Sequence, residues 1–446
     1  MTLSRNTNET VFLNPYFRAP VMPTLPPFYN RRRFISLLSG ILASRLVSAR
    51  SHGRRPRILL RSAWQTANIG DIAHTPGFLT LMERYLPDVE ITLWPGDIGQ
   101  GVEQKLINRF PNLKIVASES DRLEAFSECD FFVHGSGASV GAIPQINQWV
   151  KETTKGYGFY GITFDDHQSW IMRPDTPEQL AEKVAALNGA AFAFFRDSES
   201  LKFAKQRGCT AEVMGFAPDA AFACDVRDDA AADAFLRAND LQPGKFVCCI
   251  AKLRFAPYWL FKKGYRRDPA KHEVNERFKE QDNAPLLKAV QRVVRETDFK
   301  VLLCPEDMSE MAVNKEMIYD RISARDQAKV VWKSDYWLVG EAISTYRRSA
   351  GLFGLQMHSP IMCIGHEIPA VLCGLDQQTS KQIMWDDIGL GAWHLDFDEA
   401  EGREQLPGTV LQMLLDPEGS FRKATAAKRV VEKHQTSTMA HLGAVF

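Results

Sequence analysis

The sequence predicts an α/β protein made of two doubly wound, Rossmann-like domains, and three observations carry that expectation. The chain has 446 residues, too many for one small core. From Arg57 onward, short β-rich apolar runs alternate with helical patterns, which implies parallel sheets with both faces covered. The alternation is interrupted once, by an Ala- and Asp-rich polar segment near 225–243 ending in Gln242-Pro243-Gly244, and then starts again.

The elements follow in order. Ile58–Arg61 reads as a first strand and His74–Tyr85 as a helix. Strand patterns recur at Glu90–Trp94, Leu113–Val116, Phe131–Val133, Phe159–Thr163 and Phe192–Phe195, with helical patterns such as Pro177–Leu187 between them. The second series holds Phe246–Ile250, Lys300–Leu303, Lys329–Trp332, Gly351–Leu355 and Ala370–Leu372. Residues 256–282 break its alternation and read as a loop inserted over a site. Phe421–His434 reads as a closing helix. The expected division is a leader over 1–55, an N-terminal α/β domain over 56–228 and a C-terminal α/β domain over 229–446. Two such domains facing across a cleft make a GT-B-like architecture.

Composition narrows the function. Lys+Arg and Asp+Glu are equal at 54 each, and no basic stripe interleaved with aromatics occurs, so a nucleic-acid partner is not expected. The leader is different: residues 1–49 hold six basic residues and one acidic one, and residues 15–27 hold five prolines. Arg31-Arg32-Arg33, a short apolar stretch and Val47-Ser48-Ala49 resemble a twin-arginine export signal, which would place the protein in the periplasm; a basic amphipathic helix in a cytoplasmic protein is the other reading. The stretch is too short for a spanning helix of about 20 residues. The eight cysteines form no Cys-x-x-Cys and read as buried apolar groups.

Candidate chemistry sits where strands give way to helices. Asn68-Ile69-Gly70-Asp71 follows the first strand; Gly70 permits a tight turn, and Asn68 and Asp71 either cap the next helix or meet an anion at its N-terminus. Gly135 and Gly137, in His134-Gly135-Ser136-Gly137, permit close backbone approach to a ligand, although loop geometry alone also accounts for them. Arg196 would face the cleft, with Asp197 holding the guanidinium and Ser198 capping the following helix. Lys252 and Arg254 stand where cations hold a carboxylate or phosphate. His358, in Gln356-Met357-His358-Ser359-Pro360, is the acid/base candidate because imidazole titrates near working pH. No Walker or Gly-x-Gly-x-x-Gly motif and no tight metal-ligand set appears, so no cofactor and no metal are expected.

Taken together, Asn68–Asp71, Gly135–Gly137, Arg196–Ser200, Pro218–Phe222, and Met357–Ser359 through Ile368–Ala370 resemble, in order and spacing, the polysaccharide pyruvyl transferase family. The resemblance implies a GT-B-like enzyme that transfers a pyruvyl group from phosphoenolpyruvate to a sugar of a cell-surface glycan or exopolysaccharide precursor, forming a ketal. It implies acid/base chemistry at His358 and donor binding by nearby cations, including Lys381, where the family carries a lysine. One position departs: the family commonly has Arg two residues before this histidine, and Gln356 stands here, with Arg347 and Arg348 the nearest upstream cations. The other readings are a GT-B glycosyltransferase using a nucleotide sugar and an exported glycan-binding protein that has lost catalysis.

Overall fold

The computed structural model describes residues 54–165 and 174–446. The twin-arginine-like segment lies outside these residues.

The first sheet has seven parallel strands: β1 (Arg57–Ser62), β2 (Glu90–Pro95), β3 (Lys114–Ile115), β4 (Phe131–His134), β5 (Tyr157–Ile162), β6 (Phe192–Phe195) and β7 (Met214–Phe216). Their order is β3-β2-β1-β4-β5-β6-β7. The second sheet has six: β8 (Phe246–Ile250), β9 (Lys300–Leu303), β10 (Val330–Trp332), β11 (Leu352–Gly354), β12 (Ala370–Gly374) and β13 (His394–Asp396), in the order β10-β9-β8-β11-β12-β13. Each sheet reverses its winding once, between β1 and β4 and between β8 and β11. Ligands of doubly wound sheets bind at such switch points, beyond the carboxyl ends of the strands.

Period-two alternation builds two cores on the first sheet. Leu59, Phe132, Phe159, Ala193 and Phe195 face an outer cluster with Trp149. Ile58, Leu60, Val133, Tyr160, Phe192 and Phe194 face a larger cluster that continues into the second sheet's core at Val247, Cys249, Phe353 and Val371. All eight cysteines are buried and unpaired.

Helices then position the site. Helix α1 (Ile69–Tyr85) starts five residues earlier than its apolar periodicity indicates, because Asn68 caps it: its side chain accepts from Gly70 N at 2.7 Å and Asp71 N at 3.3 Å. A methyl group on Gly77 would lie 2.0 Å from Ala220 O, so only glycine lets the 220–223 turn press against α1 and bring Asp219 to it. Helix α2 (Ser198–Gln206) is capped by Asp197, not by Ser198: the carboxylate accepts from Ser200 N at 2.7 Å and Ser200 Oγ at 2.8 Å.

The expected inserted loop over 256–282 is largely helical instead. Only its first part is irregular. Helix α3 (Pro269–Glu296) begins at the Asp268 cap and runs through Pro285. Its polar residues disguise it, yet several are buried for a purpose. Asn275 and Asn283 bond the main chain of Phe255 and Lys252, and Asp282 pairs with Arg254. These bonds hold the loop that follows β8. Helix α4 (His358–Gly365) follows β11.

The closing helix, α5 (Pro417–Gly443), is longer than the 421–434 pattern. It crosses from the second sheet's side to the first. Lys423 lies over the Trp393 ring, whereas His434 packs on Phe216, Thr438 lies 3.3 Å from Tyr160 Oη, and Phe446 meets Phe131. Among the described residues, no helix is long and apolar enough to cross a membrane.

Candidate active site

The loops after β1 and β9 meet and are stitched by main-chain bonds. Ile69 N donates to Glu306 O at 2.9 Å and Met308 N to Ala67 O at 3.1 Å, with Asn68 and Asp307 forming an antiparallel bridge. This contact joins the carboxyl ends of the two sheets and puts Glu306 at the N-terminus of α4.

His358 is the first residue of α4, only 6 % exposed. Its Nδ1 lies 3.2 Å from Glu306 Oε1. The same carboxylate accepts from Ser359 N at 2.5 Å and from Asn68 Nδ2 at 3.4 Å. Burial alone would raise the Glu306 carboxyl; the His358 imidazole and the Ser359 N–H hold it down to about 2. An ionised carboxylate only accepts, so it keeps the proton on Nδ1 and leaves Nε2 as the working nitrogen. That Nε2 is buried and has no hydrogen-bond partner. Burial pushes the imidazole below its ordinary pKa, Glu306 partly offsets this, and Lys381 and His74 push it lower.

A second imidazole–carboxylate pair comes from the first sheet's side. His74, on α1, lies one turn beyond Gly70 and so on the same helix face. Its Nδ1 is 2.8 Å from Asp219 Oδ1. Arg196 Nη1 is 2.7 Å from Asp219 Oδ2, its Nε donates to Thr163 Oγ1 at 2.6 Å, and its Nη2 is buried without a partner. Burial raises the Asp219 carboxyl, but His74, Arg196 and His358 together hold it well below the usual carboxylate range. The His74 and His358 rings stand edge to face, with centroids 5.0 Å apart at 87°.

Lys381 is partly exposed but sits among cations. Burial, then Arg196 and Lys252, bring its ammonium down to about 7. Opposite lies an acidic group: Glu310 Oε2 accepts from Glu306 N at 2.7 Å and Asp307 N at 3.1 Å. Burial and the neighbouring carboxylates raise Glu310 well above the usual range.

The other residues marked by the sequence divide. Gly70 touches the imidazole: a methyl group there would come within 2.3 Å of His358 Cβ, Cγ and Nδ1. Gly70→Ala is therefore expected to destabilise the fold by about 1–3 kcal/mol through overpacking and to displace the ring. Urea denaturation and the His358 ring resonances in ¹⁵N-histidine spectra check both effects; unchanged values for both would contradict this packing. Asp71 accepts from Gln65 Nε2 and lies 4.0 Å from His74 Nε2. Gln356 Nε2 donates to Glu310 Oε1. Arg348 does not stand in for a cation at 356, because it pairs with Asp229 and Asp233.

Gly135 and Gly137 lie behind the site. They press on Ser62 and Trp64, whose Nε1 donates to Ser136 O at 2.7 Å. Arg254 is turned to Asp282 and Asp398, at 2.8 and 2.7 Å. Arg196 takes Asp219 rather than Asp197 as its carboxylate partner, since Asp197 is engaged in capping α2.

Sequence reasoning passed over His74 and Glu306 and touched Asp219 only within the Pro218–Phe222 segment. The available signals were a histidine on the helix face of Gly70 and an acid just past the carboxyl end of β9. His74, Asp219 and His358 offer ligand atoms within 4.8 Å of one another, a spacing that fits a metal. The guanidinium on Asp219 and the ammonium of Lys381 make the surroundings unfavourable for a divalent cation.

The fold is shared with solved structures. Anabaena Alr3699/HepE in complex with UDP-glucose superposes with a TM-score of 0.54 at 11% identity, covering 87% of this chain and 100% of that one. The S. aureus MnaA–UDP structure gives 0.52 at 10% identity, covering 85% and 94%. A putative UDP-N-acetylglucosamine 2-epimerase from Listeria monocytogenes gives 0.52 at 10%, covering 88% and 97%. At these identities the likeness establishes the GT-B-type fold alone. No curated protein matches the sequence. The family model for polysaccharide pyruvyl transferase matches residues 68–377, a span that holds His74, Arg196, Asp219, Glu306 and His358. The chain therefore belongs to the polysaccharide pyruvyl transferase family.

Proposed function

We propose that the protein transfers a pyruvyl group from phosphoenolpyruvate to a glycan, forming a ketal across two sugar hydroxyls. The observation that carries this reading is the set of polar groups left unmatched where the two sheets meet: His358 Nε2 and Arg196 Nη2, both buried without partners, with Lys381 beside them. Buried donors without partners are costly unless a ligand completes them. Two cations and an imidazole suit a donor that carries a carboxylate and a phosphate. His358 moves protons, Glu306 orients it, and Arg196 and Lys381 hold the anionic donor. The test is phosphate release from phosphoenolpyruvate with a panel of methyl hexopyranosides that present free diols, and UDP-glucose turnover as the control. Release of phosphate with ketal formation supports the reading; turnover of UDP-glucose alone would replace it with glycosyl transfer.

Lys381 makes the donor's affinity pH-dependent. Its folded value of about 7 lies below the ordinary value of about 10.4, so the cation is lost as pH rises through 7. KM for phosphoenolpyruvate is expected to climb above that pH, and Lys381→Met to raise KM and flatten its pH dependence. Between about pH 7 and 10.4 the unfolded chain binds more protons, so this group's contribution to stability rises with pH across that window.

Export by the twin-arginine route is a separate proposal, resting on the Arg31–Arg33 cluster and the short apolar stretch after it. Arg32→Lys with Arg33→Lys should leave precursor in the cytoplasm. A protein whose localisation is unchanged, or whose mature form still begins at Met1, would rule this out. Phosphoenolpyruvate is a cytoplasmic metabolite, so an exported form favours the glycan-binding reading over transfer.

A further inference from the structure

Ketal formation from phosphoenolpyruvate moves two protons. Both leave sugar hydroxyls; one ends on the methylene carbon and the other departs with phosphate. Two bonds form from the central carbon to sugar oxygens, and its bond to the phosphate oxygen breaks. The methylene carbon and the attacking hydroxyl lie at different points of the reacting assembly, so one imidazole is poorly placed to serve both at once.

The site holds two imidazoles, each backed by a buried carboxylate. His358 rests on Glu306 and comes from the second sheet's side. His74 rests on Asp219 and comes from the first. Their rings meet edge to face; His358 Nε2 and both ring nitrogens of His74 are buried without a well-aligned hydrogen bond, although His74 Nδ1 stands 2.8 Å from Asp219 Oδ1. His74 is 1 % exposed, a depth that a histidine with only a packing role would reach with its nitrogens satisfied.

We propose that His74 is a second acid/base residue of this site, giving a proton to the methylene carbon while His358 takes the proton of the attacking hydroxyl. The inference rests on the pyruvyl-transfer reading. In the first half-reaction, protonated His74 delivers its proton to the methylene carbon. The first sugar hydroxyl attacks the central carbon and loses its proton to His358. In the second, the bond to phosphate breaks as His358 returns that proton to the departing phosphate. The second hydroxyl then attacks, its proton goes to His74, and both imidazoles are back in their starting states. Product and phosphate account for every atom, and no oxidant or reductant is needed.

The surroundings fit these roles. Asp219 stays ionised against Arg196 and stabilises an imidazolium at His74. Burial favours the neutral, proton-accepting form of His358. The titratable and charged groups around His74 are Asp71 at 4.0 Å, Asp219 at 2.8 Å and the His358 ring, with Arg196 behind Asp219 and Glu306 and Lys381 behind His358.

The test compares wild type, His74→Gln and His358→Gln by phosphate release with phosphoenolpyruvate and methyl hexopyranosides, recording kcat against pH. His74→Gln should lower kcat by roughly 10²–10⁴, leave KM for phosphoenolpyruvate within a few-fold, and abolish the alkaline fall of kcat while keeping the acid-side rise. His358→Gln should do the converse. Both limbs surviving in His74→Gln, merely scaled down, would make His74 structural and overturn the proposal.

A second readout does not depend on turnover. In ¹⁵N-histidine spectra of the full chain, His358→Gln should shift the His74 ring resonances because the two rings face one another. A His74 resonance that does not respond to that substitution overturns the pairing. If wild type releases no phosphate, the functional reading fails by that result, and the spectra still decide the imidazole pair. One tightly held zinc per chain that ligates these nitrogens would also overturn it.

Discussion

His358→Ala is expected to lower kcat for phosphate release by roughly 10²–10⁴, the usual loss when a positioned general acid or base is removed, with a smaller change in KM. The reason is geometric. The ring's Nδ1 is held by Glu306 and its Nε2 is the nitrogen left for substrate. The substitution also strips a buried carboxylate of its main partner, so folding must be checked alongside. Glu306 sits at about 2 in the fold, below its unfolded value of about 4.3. Its contribution is thus fully present above about pH 4.3 and is lost as pH falls towards 2. His358 works in the opposite sense: with its folded value lowered, it disfavours the fold on acidification through about pH 6.5. Removing the imidazole should move the Glu306 acid transition to higher pH. His358→Gln, whose amide can still donate to Glu306, separates the two effects: it should recover much of the acid stability and none of the rate. A His358→Ala protein that folds and releases phosphate at the wild-type rate would remove His358 from the mechanism.

Arg196→Met should be the most destabilising single change in the site, costing about 3–5 kcal/mol in urea denaturation. Removing one partner of a fully buried ion pair leaves the other charge uncompensated. Arg196 and Asp219 are both 0 % exposed, and His74 alone would then face the carboxylate. Neutralising both, with Arg196→Met and Asp219→Asn together, should return a large part of the stability. Activity should not return, because the unpartnered Nη2 is the part of the guanidinium free for the donor. A loss below about 1 kcal/mol in the single variant, a size typical of exposed pairs, would show that the pair contributes no more than a surface one.

Several parts of this molecule were legible from residue patterns. Apolar runs such as Phe246–Ile250 and Phe192–Phe195 are buried along their whole length because helices cover both faces of a parallel sheet. Asn68 was legible as a cap or an anion contact, and the cap is what it makes, five residues before the helix that apolar periodicity marked. His358 drew attention because it opens a helix at the end of a strand. Helix α3 was misread because polar residues that bond the loop after β8 interrupt its apolar period. The site was harder to read than the strands. Glu306 lies 52 residues from His358, and Asp219 lies 145 from His74. Neither acid carries a local mark, since any Asp or Glu at a turn is ordinarily a cap or a solvated charge.

The sequence by itself determined the α/β class, the two strand series and the family, and it marked His358 at a strand-to-helix junction. These depend on local pattern: burial periodicity, caps, and motifs at strand ends. Only the tertiary structure decided which carboxylate meets which imidazole, that Arg196 takes Asp219 rather than its neighbour Asp197, and that α5 returns to the first sheet. The physical reason is that partner choice and proton affinity are set by burial and by charges a few ångströms away. Strand order and domain apposition bring those charges together from distant parts of the chain.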